Sequence, residues 1–184
     1  MIMDKYKQWA QRKSSSRQQL ITLLVAGLFF LLLFPFLLVT CSTWIDRSLG
    51  LPGFSAGIAN DIAGALLVAA GAALGWWSIE RQLSIGEGTP VPLVPTRKLI
   101  RTGPFAWCRN PMTLGTFIAY LGIGVLAGSI SALVIVTLFT AILIMYIRFV
   151  EEKELEARFG KDYVAYKKST PFIIPRLRRR SRRK

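Results

Sequence analysis

Histidine is missing from this chain, and only two of its 184 residues are cysteine. The first absence removes an imidazole general base, an imidazole metal ligand and a histidine-held haem. The second leaves too few thiolates for a structural metal site. Cys41 falls near the end of the first apolar block and Cys108 just before the last uncharged stretch, so the expected topology puts them on opposite membrane faces, where they cannot pair. Negative charge is scarce as well: 10 Asp and Glu stand against 24 Lys and Arg, a net charge of +14. A soluble chain with that balance would suggest a nucleic-acid partner. Here 52% of residues are hydrophobic and lie in long blocks, which is too apolar for an ordinary soluble domain of this size. Beside apolar spans, basic residues set orientation and attract anionic lipid, each worth about 1 kcal/mol near the surface. Neither nucleic acid nor metal is an expected partner.

Charge is absent altogether from Asn110 to Ile147, between Arg109 and Arg148. As one helix this stretch would rise about 57 Å at roughly 1.5 Å per residue, against a hydrocarbon core about 30 Å thick. Folded in half it gives two spans of about 18 residues, near the minimum for crossing. Ala127, Gly128, Ser129 and Ser131 mark the fold point. Such a hairpin returns Arg109 and Arg148 to one interface, each opening a charged segment.

Two further spans precede the hairpin. One covers Leu20 to Thr43, with a kink expected at Pro35. It is too long for the core of a signal peptide, and no clear small-x-small cleavage site follows. The other covers Ile58 to Ile79, with Trp76 and Trp77 as interfacial residues. Small residues recur there as Ala65, Ala69 and Ala73 and as Gly71 and Gly75, a helix-packing signal, with Gly115, Gly122 and Gly124 as counterparts in the third span. The fold class expected is therefore all-α: a polytopic integral membrane protein of about four transmembrane helices, ending in a helical hairpin with a cytoplasmic pocket.

The segment 81–110 holds Pro90, Pro92, Pro95 and Pro104 with Gly86, Gly88 and Gly103, and reads as an extended, packed strap rather than a helix. After the fourth span the helix is expected to continue through Glu151, Glu152, Glu154 and Glu156 to a stop at Gly160. Tyr163, Tyr166 and Pro171 to Pro175 then form an aromatic and proline-rich finish. Four regions result: a basic arm (1–19), two spans (20–80), a core of strap, hairpin and Glu-Glu helix (81–175), and a basic tail (176–184) for anionic lipid. The arm, strap and tail are all net positive. In the loop from Trp44 to Gly57, Asp46 and Arg47 cancel. The positive-inside rule then puts both termini in the cytoplasm.

Glu151 and Glu152 follow the fourth span, and Arg148 lies one turn behind Glu152 on the same face. Two readings stand: a solvated charged turn, or a site that pairs a carboxylate with an ammonium ligand at the membrane mouth. At this point the residues resemble a family. Gly103-Pro104-Phe105, Arg109-Asn110-Pro111-Met112 with Gly115, and then Glu151-Glu152, Leu155, Phe159-Gly160, Tyr163 and Tyr166 are similar to the isoprenylcysteine carboxyl methyltransferase and phospholipid methyltransferase superfamily. Gly88-Thr89-Pro90 resembles many bacterial members, which implies a bacterial inner membrane. The likeness runs from about Gly86 to Pro175. Phe105 and Thr113 depart from it, each standing where the family has Tyr. Asn110 replaces the alternative His.

The resemblance implies S-adenosylmethionine as cofactor and a lipid-like or prenylated acceptor. Gly103, Pro104, Arg109, Asn110, Pro111 and Met112 would form one wall of the cofactor site, and Glu151 and Glu152 the other. A carboxylate acceptor, as in isoprenylcysteine O-methylation, needs no base, and Arg148 or Arg109 would orient it. A phospholipid amine would need Glu152 or Glu151 as base. The competing classes are a membrane reductase related to sterol reductases and a non-catalytic scaffold. A reporter fused at Ser84 should read cytoplasm and one at Ser48 the far side; the same side for both would overturn the topology.

Overall fold

The computed structural model describes residues 15–55, 57–89 and 95–175. Most of the basic arm, Pro90 with Pro92 in the strap, and the tail 176–184 lie outside the described residues. Among the described residues the fold is all-helical. Helix α1 (Ser16–Leu28), a π turn (Phe29–Leu33) and α2 (Phe34–Ser48) form one continuous rod. Helix α3 spans Ile58–Ser84, α4 Pro111–Leu126 and α5 Ile130–Tyr146. A second π turn (Ile147–Glu151) joins α5 to α6 (Glu152–Phe159), and α7 (Lys161–Ser169) closes the described chain. Three helical stretches, Ser16–Ser48, Ile58–Ser84 and Ile130–Phe159, are long and apolar enough to cross a membrane. The fourth expected span, α4, is apolar but shorter, about 24 Å at 1.5 Å per residue.

Sequence accounts for the helix boundaries. Ser15 opens α1 with a reciprocal cap: its Oγ accepts from the Gln18 amide at 3.2 Å, and Gln18 Oε1 accepts from the Ser15 amide at 3.0 Å. The disturbance expected at Pro35 takes the form of the π turn just before it. In that turn the Phe34 amide bonds to the Phe29 carbonyl. In the same register the Phe30 carbonyl would face residue 35, a proline with no N–H to give. The Tyr120 hydroxyl of α4 donates to that carbonyl instead, at 2.7 Å. A backbone defect in the first rod thereby becomes its attachment to the hairpin, and Phe34 stacks on the Tyr120 ring at 4.8 Å.

The hairpin turn is pinned from two sides. Asp46, expected in a solvent loop, is instead buried on α2. Its carboxylate accepts from the Ser129 hydroxyl and, at 3.0 Å, from the Ser131 amide. The Ser129 hydroxyl accepts from the Ala132 amide at 3.1 Å. A carboxylate from a neighbouring helix thus caps the N-terminus of α5, where orphan N–H groups and the helix dipole favour negative charge. Gly128 holds φ +59, and its carbonyl accepts from the Phe54 amide at 3.0 Å.

Helices α3 and α4 lie antiparallel and meet through glycine. A Cβ on Gly115 would fall 2.8 Å from the Gly71 carbonyl, and one on Gly122 would fall 2.7 Å from that of Gly64. The backbones touch, which is what small residues permit in an apolar medium. The packing row on α3 is Gly64, Gly71 and Ser78, all buried, whereas Ala65, Ala69 and Ala73 face outward. The expected alanine row is not the packing row, because an alanine still carries the Cβ that this approach forbids. Two glycines four residues apart then make opposite predictions. Gly71→Ala forces the helices apart and should cost roughly 1–3 kcal/mol. Gly75→Ala meets nothing within 4 Å and should leave the melting temperature in detergent unchanged. Equal melting of the two variants would refute the seam.

Candidate functional site

The end of the bundle opposite the Gly128 turn carries the chemistry. Three segments far apart in sequence converge there: the strap before α4, the rod α5–α6, and the C-terminal segment. The strap enters through Gly103, whose φ of +61 lets the turn Gly103–Ala106 lean on Trp77 and Arg81 of α3. Pro104 and Cys108 are fully buried, and burial pushes the Cys108 thiol up from its ordinary pKa. Of the strap's apolar residues Ile100 is buried and Leu99 half-buried; Val91, Leu93 and Val94 lie outside the described residues. The strap, expected to be extended from Arg81, begins later, because α3 runs on to Ser84.

Gly160, at φ +56, ends α6 as expected and turns the chain into α7. Tyr163 and Tyr166, expected as part of an aromatic and proline-rich finish, therefore sit on a helix. Both rings are buried. Desolvation pushes the Tyr163 phenol up to about 12 and that of Tyr166 further still, so both stay neutral donors. The Tyr166 hydroxyl donates to the Phe105 carbonyl at 2.6 Å. The Arg109 amide donates to the Pro171 carbonyl at 2.9 Å, and the Asn110 amide and Nδ2 donate to the Phe172 carbonyl at 3.2 and 3.0 Å. Segment 170–172 is in effect stitched to the entry of α4.

At the centre Arg109 pairs with Glu152, both side chains almost fully buried. The second oxygen of Glu152 takes Lys167 at 2.8 Å, and Lys167 also reaches Glu156 at 2.7 Å. Arg109 and Arg148 each lie 5.5 Å from the centre of the Phe172 ring, within reach of a cation–π attraction. Arg148 does not pair with Glu152 despite the shared face; it is exposed.

Beside this network lies an open cleft. Its floor is the face of the rod given by Tyr146, Glu151, Glu154, Leu155 and Arg158, and its sides are strap residues (Thr89, Thr96, Leu99, Ile100) with Phe105, Arg109, Asn110, Phe159 and the two tyrosines. Of the residues expected at a site, Arg109, Asn110 and Glu151 line this cleft. Gly103, Pro104, Pro111, Met112, Arg148 and Glu152 are not among its lining residues. Glu151 lies past the apolar span that ends at Ile147. Desolvation raises its carboxyl pKa, the Glu154 charge raises it further, and Arg158 opposes both. Tyr146, Glu154, Arg158 and Lys167 were not anticipated. The helical spacing of 151, 154, 155 and 158 was a readable signal for one face; nothing local pointed to Lys167.

The cleft's donor set suits S-adenosylmethionine. Carboxylates meet an ammonium and ribose hydroxyls, guanidinium groups meet a carboxylate, and aromatic rings cover a purine. The Arg109 Nε is buried without a hydrogen-bond partner among the described residues. Among those residues no group of three or more Cys, Asp or Glu could hold a metal ion. Because Glu152 holds a buried guanidinium, Glu152→Gln should cost about 3–5 kcal/mol of stability, read as a lower melting temperature in detergent. Glu151→Gln should not lower it; the reverse order would mean that the two carboxylates have been assigned the wrong faces.

Over 81 residues, 44% of this chain, the sequence is 32% identical to a nickel-cobalt-cadmium resistance protein, NccN, of Alcaligenes xylosoxydans xylosoxydans. The match spans only 37% of that protein's length. No solved structure matches the chain. The family model for phospholipid methyltransferases covers residues 59–162, more than half of the chain, from the first turn of α3 to the start of α7. By that match, this chain belongs to the phospholipid methyltransferase family.

Proposed function

We propose that this protein transfers a methyl group from S-adenosylmethionine to a lipid-like or prenylated acceptor at the membrane surface. The family implies membrane methyltransferase activity; the cofactor and the acceptor are the proposal. The observation that carries it is the cleft where Glu151 and Glu154 face Arg158, Arg109 and aromatic rings, just past Ile147, where the uncharged run of the chain ends. When bound, S-adenosylmethionine supplies an activated methyl on a sulfonium. Glu151 would hold the cofactor's ammonium, with Arg158 toward its carboxylate. Rings at Phe105, Phe159 and Tyr163 exclude water, which strengthens each of these attractions.

For the acceptor we assign Arg148, exposed just past Ile147 and outside the cleft lining. Its guanidinium suits a carboxylate, as in isoprenylcysteine O-methylation, or the phosphate of a phospholipid. A carboxylate acceptor is already ionised near pH 7, so positioning is all that these residues must do. With a phospholipid amine, the ammonium must first lose its proton. With Glu151 committed to the cofactor, Glu154, the other carboxylate lining the cleft, is the group to accept it. The likeness to NccN adds no metal chemistry to this reading, since it covers under half of either chain.

Titration calorimetry tests the cofactor. Wild type should bind S-adenosylmethionine, and Glu151→Gln should weaken binding at least about tenfold. The affinity should also depend on pH with a definite sign. A neutral Glu151 cannot pair with an ammonium, so binding should fade as pH drops through the raised Glu151 pKa, earlier than for an ordinary glutamate. Absence of binding in wild type would leave the reductase or scaffold reading. Labelled methyl recovered in a lipid amine or in a prenylcysteine ester then separates the two acceptors.

A further inference from the structure

The family match ends at residue 162, yet the wall of the cleft is held by residues beyond it. Arg109 is the last charge before α4, and its position decides where the Arg109–Asn110 wall stands. Its side chain is fixed by Glu152, and Glu152 is fixed in turn by Lys167, which arrives from α7 with Glu156 on its other side. Glu152 alone could not balance this arrangement. With Arg109 as its sole partner its second oxygen would be buried and unpaired, and a buried unsatisfied acceptor is costly. Lys167 closes the chain of charges so that Arg109, Glu152, Lys167 and Glu156 sum to zero.

Resting on the cofactor reading above, we propose that Lys167 is a positioning residue of the cleft: acting through Glu152, it holds the Arg109–Asn110 wall in the geometry that receives the cofactor. Segment 161–172 is thus a clasp rather than a trailing helix. Its other attachments are the Tyr166 hydroxyl on the Phe105 carbonyl and the two carbonyls of 171 and 172 on the Arg109 and Asn110 amides. Lys167 itself is partly exposed and outside the cleft, so it touches neither cofactor nor acceptor. Burial in the cleft cannot explain an effect of its removal. Its adjacent residue, Lys168, is exposed and makes an internal control.

The protein carries its own reporter. Cys108 is buried beneath the clasp, next in sequence to Arg109, and the other cysteine, Cys41, is exposed. In a Cys41→Ser background, the rate at which a maleimide labels Cys108 in detergent measures opening of the clasp with no ligand present. Lys167→Met should speed labelling and weaken S-adenosylmethionine binding, each about tenfold. Lys167→Arg should restore both to within about twofold, because a guanidinium can still bridge two carboxylates. Lys168→Met should behave as wild type. If Lys167→Met does not fold, Lys167→Gln, which keeps a donor and drops the charge, is read in the same way.

Wild-type labelling and affinity in Lys167→Met would overturn the proposal. So would an Arg variant as defective as Met, or an equal effect from Lys168→Met. Should wild type bind no S-adenosylmethionine, the cofactor reading fails by itself; labelling that still accelerates in Lys167→Met and recovers in Lys167→Arg would uphold the clasp.

Discussion

A single buried ion pair, Arg109 with Glu152, joins the two halves of this site. Removing a guanidinium and a carboxylate from water costs several kcal/mol per ion, and the mutual attraction recovers this only with good geometry and no loose lone pairs. That condition explains the surroundings of the pair. Lys167 takes the second carboxylate oxygen, Phe172 lies beneath the guanidinium, and the backbone of Arg109 is tied to the carbonyl of Pro171. Such a network is worth more for specifying one arrangement than for adding stability. Here the arrangement it specifies is the separation between the entry of α4 and the exit of α5.

The pair can perform that role because the apolar body beneath it is stiff. Glycine lets α3 and α4 touch backbone to backbone, so their register cannot slide without a clash. Asp46 caps α5 from α2, and Tyr120 fills the bond that Pro35 leaves open in the first rod. These contacts lie in the middle of the bundle or at its far turn. By contrast α1 buries no residue, so the first rod is held at its far end and its centre and free at the end that bears the site. The hairpin and α3, which the family match covers, form the frame; the first rod braces it.

Much of this was legible in the chain. An uncharged run too long for one span and too short for three predicts a hairpin, and Gly128 and Gly160 mark real reversals. Arg109, Asn110 and Glu151 do meet at one cleft. What could not be read was decided by partners distant in sequence. Alanine and glycine rows look equally suitable on α3 until the α4 backbone is present to exclude a Cβ. Asp46 looks like a loop charge until the N-terminus of α5 needs an acceptor. Lys167 is one of several basic residues near the end, and only the fold shows which of them reaches Glu152.

The Glu151–Glu152 pair shows how far a motif carries. Neighbours on a helix point about 100° apart, so two adjacent carboxylates cannot both face one ligand. One must turn inward and find cations or be lost to desolvation. In this fold the inward one is Glu152, and the clasp exists to receive it. The other, Glu151, lines the cleft, where desolvation and the Glu154 charge raise its carboxyl pKa against the pull of Arg158. A desolvated acidic group beside a cleft is costly for stability. The two identical side chains therefore stand differently: one is buried in the ion pair with Arg109, and the other lines the cleft.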